Sequence, residues 1–214
     1  MLENLREKVY KAHISLWKER LVMWTSGNVS ARDKKTDLVV IKPSGVHYEE
    51  LSPEKMVVVN LNGKVVEGTL KPSVDTKTHL YIYKHMENVN SVIHTHSTYA
   101  TAFAAAARPI PAHLTAMADF FGGDIPLGRL MIIGGEAIGR EIVEKIGKSK
   151  AILMQNHGVF TVGRTIEEAL KAAIYVEEGA KVLLLSEILG GAKEIPQEVI
   201  EELHKNYISN YGQT

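Results

Sequence analysis

The chain has 214 residues, a length typical of one domain with a substantial buried core. Its 25 basic and 25 acidic side chains cancel, which excludes the bulk positive field of a protein that binds nucleic acid or anionic membranes. The sequence has no cysteine, which excludes disulfides and cysteine-bound zinc, so any metal site must use His, Asp or Glu.

The N-terminal half alternates between helix and strand patterns. Apolar residues at helical spacing predict an amphipathic helix over residues 2–23, and a second helix is expected over 75–86. Between them, β-branched runs predict three strands, at 38–42, 56–60 and 64–68. Asn62-Gly63 separates the last two runs and predicts that they pair as a hairpin.

The C-terminal half continues this alternation. Further apolar runs predict strands at 89–96, 130–133, 151–155 and 159–163. Helices are expected over TYATAFAAAA before Pro109, from the Thr165 and Glu168 capping box to about Leu189, and from Pro196 to about Ile208. The glycine pair in IIGGEAIGRE lacks a phosphate-loop lysine and is interpreted as a strand-to-helix turn.

Hairpins and strands that alternate with helices occur in one chain, which predicts a mixed sheet with helices on its faces. We interpret residues 1–214 as a single α/β domain. The N-terminus is charged from its third residue, unlike a signal peptide, and no run approaches the ~20 apolar residues that span a bilayer. These features predict a cytoplasmic protein with no membrane partner.

The stretch SVIHTHSTYATAF places His94 and His96 on one face of a predicted strand, because side chains two apart in a strand point the same way. Two exposed histidines would give the same pattern. His157 follows another apolar run, and three imidazoles with an open fourth position are typical of catalytic zinc. Asp75 is a fourth candidate ligand, although an aspartate before a helix is also a common cap.

Three turns share a composition that suits an anion. TSGNVSAR, IKPSGVHY and KPSVD each place Gly, Ser or Asn beside an apolar run, where backbone N–H groups and hydroxyls can bind phosphate oxygens. Any one of them is also what an ordinary turn contains. Their recurrence beside Lys42 predicts an anion-binding pocket.

Together these motifs resemble the class II aldolase and epimerase family. The resemblance extends over essentially the whole chain and rests on SGNVSAR, IKPSGV, EGTLKPSVDTKTHLYIYK, VIHTHS, MADFFGG, QNHGVF and the terminal YGQ, in that order. It implies a three-layer α/β/α domain around a mixed, mostly antiparallel sheet. It also implies a homotetramer whose active sites lie between subunits.

The resemblance implies a role for each matching residue. A divalent metal, expected to be zinc, would be bound by His94, His96 and His157, with Asp75 at a position that is aspartate in the epimerases and glutamate in the aldolases. Asp119 and Tyr211 match the proton carriers of the family. Substrate contacts are implied for Gly27, Asn28, Ser44, Gly45, Ser73 and Val74.

Three features depart from the epimerase pattern. Val74 stands where a second serine is usual, the segment between Ile125 and Ala151 is short and aldolase-like, and the tail from His204 to Tyr211 is compressed. The last departure weakens the match of His204 to the tail histidine of the family.

The implied activity is a 4-epimerisation that interconverts L-ribulose 5-phosphate and D-xylulose 5-phosphate. The inverted carbon bears no acidic hydrogen, so the implied route is retro-aldol cleavage of C3–C4, rotation of the aldehyde and re-addition to its other face. Two alternatives stay open at this point. One is a class II sugar-phosphate aldolase of the fuculose-phosphate type, and the other is a non-catalytic binding domain like the adducin head.

Overall fold

The computed structural model describes residues 2–210, in which strands and helices alternate along the chain. The eight strands are β1 (Asn28–Asp33), β2 (Leu38–Ile41), β3 (Val57–Asn60), β4 (Val65–Glu67), β5 (Ser91–Thr95), β6 (Leu127–Gly128), β7 (Ala151–Met154) and β8 (Gly158–Gly163). The seven α-helices are α1 (Glu3–Lys18), α2 (Thr76–His85), α3 (Thr98–Ala105), α4 (Thr115–Phe121), α5 (Ala137–Lys145), α6 (Ile166–Ile188) and α7 (Gln197–Asn210).

The eight described strands form one mixed sheet in the order β4-β3-β2-β1-β5-β8-β7-β6. Neighbouring strands are antiparallel except β6 and β7, which are parallel. In the register of the central strands, Asn28 of β1 lies opposite His94 of β5, and His94 lies opposite Phe160 of β8. These three residues form one row across the middle of the sheet.

Helices cover both faces, as strand alternation requires. Val40 in β2 packs into a core with α1 and α6, whereas its neighbours Val39 and Ile41 pack into a second core with α2 and α5. A third core joins α3, α4 and α6 to Leu153 and Val159 on the same side of the sheet as α1. The expected three-layer α/β/α architecture with a mostly antiparallel sheet is confirmed.

The predicted helix cap and the predicted hairpin turn are both present in the structure. Thr165 Oγ1 accepts the Glu168 N–H at 3.2 Å and caps α6, as the capping box predicted. The β3–β4 hairpin closes through the Asn60 N–H and the Lys64 carbonyl at 3.0 Å, with Gly63 at φ 82° in the turn. No helix within residues 2–210 is long and apolar enough to cross a membrane.

The first helix is shorter than predicted. It ends at Lys18, because a turn closes through the Leu21 N–H and the Leu16 carbonyl and Arg20 takes a left-handed φ of 58°. Leu21 and Val22 are buried although they lie beyond the end of this helix. The apolar pattern of 2–23 therefore marks buried residues rather than the length of the helix.

The predicted strand at 130–133 is wrong. This segment is loop, and Ile132 is 88% exposed, so its apolar run does not mark a core strand. The strand of this region is β6, two residues long, which lies earlier in the chain.

The sequence patterns also missed β1 and α4. β1 is the polar stretch NVSARD. Its place in the middle of the sheet is stabilised by hydrogen bonds between its polar side chains and buried partners rather than by a high strand propensity.

Candidate metal and substrate site

A cavity of about 290 Å³ opens where β5 meets the three turns that were predicted to bind an anion. Eleven residues predicted to contact metal or substrate line it, namely Gly27, Asn28, Lys42, Ser44, Gly45, Ser73, Val74, Asp75, His94, His96 and His157. Thr25, Ser26, Pro43 and Ile133 also line it and were not predicted. Residues separated by 130 positions in the sequence are thus brought to one cavity.

The three histidines converge on one point. His94 Nε2 lies 2.8 Å from His96 Nε2, and a potential ligand atom from each of the three rings lies within 4.8 Å of the others. Zinc–imidazole bonds of ~2.0–2.1 Å separate neighbouring ligand nitrogens by ~3.3 Å in a tetrahedral site. Only small side-chain adjustments therefore separate this arrangement from a metal-binding one.

The imidazoles are held in the neutral form that binds metal. His94 Nδ1 donates to the Val159 carbonyl at 2.9 Å, which leaves Nε2 with its lone pair facing the cluster. Burial lowers the pKa of His94 well below its usual value, and the neighbouring His96 and His157 lower it further. Burial also lowers the pKa of His96 and His157, against an opposing effect of the Asp75 carboxylate.

Asp75 faces the histidines without belonging to their cluster. It occupies the position before α2, but its side chain makes no capping hydrogen bond to the helix. Its Oδ2 instead accepts 2.8 Å from Asn28 Nδ2, which also donates to Ser73 Oγ at 3.1 Å. Asp75 is therefore an oriented carboxylate at the cavity wall rather than a simple helix cap, and the three-histidine group does not include it.

The three turns are tied to one another. The backbone N–H of Ser44 donates to Lys71 and that of Ser73 donates to Lys42, so the second and third turns form a short bridge. The buried Lys42 ammonium donates to the carbonyls of Thr25, Pro43 and Val46 at 3.1, 3.4 and 2.9 Å. Burial lowers the pKa of Lys42 to about 8. Its three donors are used on backbone carbonyls, so Lys42 shapes the pocket and adds charge rather than offering a free N–H.

Asp119, one of the two predicted proton carriers, does not line the cavity. Asp119 is half-buried in α4, and the cavity-lining residues among 2–210 do not include it. His204 Nδ1 donates to the Asp119 carbonyl at 2.7 Å, so the tail histidine packs beside the predicted carrier. Tyr211 lies outside the described residues. A single chain therefore does not bring Asp119 to the histidines.

Two residues of the site gave little signal in the sequence. A Cβ atom at Gly158 would lie 2.9 Å from His96 Cδ2 and 3.4 Å from His94 Cε1, so only glycine leaves room for both imidazoles. The buried His13 accepts the Val29 N–H at 2.8 Å and donates to the Val9 carbonyl at 2.7 Å, which holds the start of β1 next to Asn28. Gly158 adjoins His157 in QNHGVF, and that adjacency was its only signal.

The residues present fit a divalent metal. Ligand atoms of three imidazoles lie within 4.8 Å of one another, and the buried Nδ1 of His157 and Oδ1 of Asp75 have no hydrogen-bond partner within residues 2–210. Unpartnered buried polar atoms are uncommon in proteins, and a bound ion or its water shell is one way to satisfy them. The donor set also matches catalytic zinc, with three histidines and an open position.

The fold and site correspond to a known family. Residues 7–184 match the family model described as "Class II Aldolase and Adducin N-terminal domain". The chain belongs to this family.

Individual relatives refine the comparison. The chain is 38% identical over 222 residues to "L-ribulose-5-phosphate 4-epimerase UlaF" of Salmonella paratyphi C (strain RKS4594), covering 99% of this chain and 96% of that protein. The Salmonella choleraesuis (strain SC-B67) protein of the same name matches equally well. Among solved structures, an "L-fuculose 1-phosphate aldolase" superposes with a TM-score of 0.91 at 27% identity, with 96% of each chain covered.

Proposed function

We propose that this protein is a metal-dependent L-ribulose-5-phosphate 4-epimerase that forms D-xylulose 5-phosphate. The observation that carries the proposal is the match to proteins named for that activity, at 38% identity over 99% of the chain. Asp75 at the position that distinguishes epimerases from aldolases in the family resemblance supports the same choice. The convergent histidines favour an enzyme over a non-catalytic adducin-head-like domain.

His94, His96 and His157 would bind one divalent ion per chain, for which we propose zinc. The bound ion would supply Lewis acidity, which offsets negative charge on substrate oxygens and contributes several kcal/mol. Asp75, oriented by Asn28, is placed to hold or accept a proton beside the cluster. The preference of the three imidazoles for the neutral state keeps them available as ligands near pH 7.

The turns would hold the phosphate end of the substrate. Backbone N–H groups and hydroxyls around Ser44, Gly45 and Ser73 line the cavity, and Lys42 adds positive charge behind them. Val74, 61% exposed, offers no hydroxyl, so this pocket has one donor fewer than the usual family pattern. We propose that this grip keeps the aldehyde fragment in place between cleavage and re-addition.

Proton transfer on the two faces of the aldehyde is proposed for Asp119 and Tyr211 of a neighbouring subunit. Asp119 does not line the cavity of its own chain, which supports an arrangement between subunits. Exposed apolar side chains in the loop at 130–133 and at Ile188 and Leu189 are surfaces that such an assembly would cover. We propose a single-domain subunit, a homotetramer and a cytoplasmic location. Sedimentation of a fully active monomer would contradict the assembly.

A second candidate function is a class II sugar-phosphate aldolase. The close superposition on an L-fuculose 1-phosphate aldolase favours it, because the architecture alone does not distinguish cleavage with release from cleavage with re-addition. The difference lies in whether the aldehyde fragment leaves.

The deciding experiment incubates the metal-loaded protein with L-ribulose 5-phosphate and analyses the products. We expect D-xylulose 5-phosphate to accumulate to equilibrium with little free glycolaldehyde phosphate. Stoichiometric release of the aldehyde would support the aldolase instead. If neither D-xylulose 5-phosphate nor the free aldehyde forms, both proposals are contradicted for this substrate.

A further inference from the structure

Strand β8 contacts the imidazole of His94 through three successive residues. Gly158 leaves space beside His94 Cε1, where a Cβ atom would lie at 3.4 Å. The Val159 carbonyl accepts the Nδ1 proton at 2.9 Å. The Phe160 ring stacks on the imidazole with centroids 4.2 Å apart and planes only 12° from parallel. One strand therefore surrounds a single candidate ligand on several sides.

Phe160 is completely buried and belongs to the core that joins the sheet to α2 and α5. An ordinary core phenylalanine would account for this burial. It would not by itself account for the close parallel stack on His94, nor for edge contacts to His157 and His79, each at 6.1 Å between ring centroids. The ring is thus packed firmly on one side and against a candidate metal ligand on the other.

The hydrogen bond to Val159 and the Phe160 stack restrain different motions. A hydrogen bond at Nδ1 selects the tautomer and the direction of that N–H, but the ring can still tilt about the N–H···O axis. A stacked aromatic face blocks this tilt because the imidazole would have to move into densely packed atoms. The direction of the Nε2 lone pair therefore depends on both contacts.

We propose that Phe160 is a positioning residue for the metal centre, whose ring fixes the plane of His94 so that Nε2 faces the point shared with His96 and His157. The inference rests on the proposed metal centre. In this role Phe160 touches neither substrate nor metal and acts through the plane of His94.

The test measures metal affinity rather than turnover. Phe160→Leu removes the ring, and Phe160→Met removes it while keeping a longer, unbranched side chain that can fill an irregular space. Phe160→Tyr keeps the aromatic face. Phe103→Leu makes the same truncation in the core on the other side of the sheet, and it serves as the matched control. Zinc dissociation constants are measured on folded protein by competition with a chelator, and the Co²⁺ absorption spectrum reports ligand geometry.

Both non-aromatic variants should bind zinc ~10–100-fold more weakly than the parent, the range found when residues that orient metal ligands are changed. Their Co²⁺ spectra should shift, whereas Phe160→Tyr and Phe103→Leu should stay within about threefold of the parent affinity, small beside that range. Unchanged affinity in Phe160→Leu and Phe160→Met, or an equal loss in Phe103→Leu, would overturn the role of Phe160 and leave the metal centre standing. A parent protein that binds no zinc would overturn the metal centre itself.

Discussion

The side-chain amide of Asn28 holds the carboxylate of Asp75 in place, through a 2.8 Å hydrogen bond from Nδ2 to Oδ2. The bond joins the first central strand to the start of α2, and both residues are nearly inaccessible to solvent. A carboxylate accepts but does not donate when ionised, so the Asn28 amide must present its nitrogen to Asp75 and its oxygen elsewhere.

Asn28→Ala should therefore disturb Asp75 without removing the metal. Asn28 has no hydrogen bond to an imidazole within residues 2–210, so zinc content should be unchanged by elemental analysis. Turnover should fall ~10-fold or more, because loss of a hydrogen bond to a charged group amounts to ~1.5–3 kcal/mol. Asn90 lies just before the first residue of β5, at the end of the strand away from the histidines. Asn90→Ala is therefore the control, and its turnover should equal that of the parent. Loss of zinc in Asn28→Ala would contradict this separation of roles.

His157→Ala should remove most of the bound zinc, because two remaining imidazoles leave the ion without a third protein ligand. Metal content per chain after dialysis measures the effect. His85→Ala changes an exposed histidine on α2 and should leave metal content unchanged. An unaltered zinc content in His157→Ala would show that the site assignment is wrong.

Gly158→Ala should weaken both metal binding and stability. The added Cβ atom would lie 2.5 Å from the Thr95 carbonyl oxygen and 2.9 Å from His96 Cδ2, so backbone and imidazole must move. Overpacking of this kind costs about 1–3 kcal/mol of unfolding free energy. Gly135→Ala, whose nearest neighbouring atom would be 4.0 Å away, is the matched control. Urea unfolding measures the loss of stability, and zinc competition measures the loss of metal affinity. A free energy of unfolding and a zinc affinity equal to those of the parent in Gly158→Ala would refute the packing argument.

The free energy of unfolding should fall as the pH is lowered from 7.5 to 5. Burial lowers the pKa of His13 and of His79 to about 3 in the folded protein, below the value of ~6.5 for an unfolded chain. Between these values the unfolded state binds more protons, so stability rises with pH and is fully present only above ~6.5. At pH 5 each histidine should contribute a loss of ~2 kcal/mol.

Urea unfolding of the metal-free parent and of His13→Gln at both pH values checks this linkage. The pH-dependent loss should be ~2 kcal/mol smaller in the variant, since position 13 no longer titrates. The exposed-site variant His85→Gln should keep the parental difference. An identical pH dependence in His13→Gln and the parent would rule out the buried, neutral state of His13.

Tyr211→Phe should retain zinc and fold yet lose ~10²-fold or more in epimerisation, the size expected for removing a general acid–base group. A nearby cation favours the phenolate and lowers the pKa of a tyrosine, which would suit it to proton transfer near the metal. Tyr10→Phe on α1 is a control that should turn over normally. Near-normal turnover of Tyr211→Phe at saturating metal would exclude the residue as a proton carrier.

The sequence by itself determined the elements whose signals are local. Asn62-Gly63 specifies the β3–β4 hairpin and Thr165 caps α6, because turn and cap preferences depend on a few neighbouring residues. Strand geometry likewise predicted that the two histidines of the H-x-H motif point the same way. The alternation of strand and helix patterns predicted the α/β class, and the family resemblance implied the residues that line the cavity.

Only the tertiary structure decided what depends on partners distant in the chain. The polar strand β1 is central because Ser30 finds His79 and Tyr83, each about 50 residues away, and no local pattern encodes such pairs. Leu130, Ile132 and Ile133 in the apolar run at 130–133 are exposed, since burial is set by what packs against a segment rather than by its own hydrophobicity. The hydrogen bonds of Lys42 to the carbonyls of Thr25, Pro43 and Val46, and the stacking of Phe160 on His94, were likewise seen only in the structure. Each of these roles arises where separate elements meet in the fold, which is information that spacing along one chain does not contain.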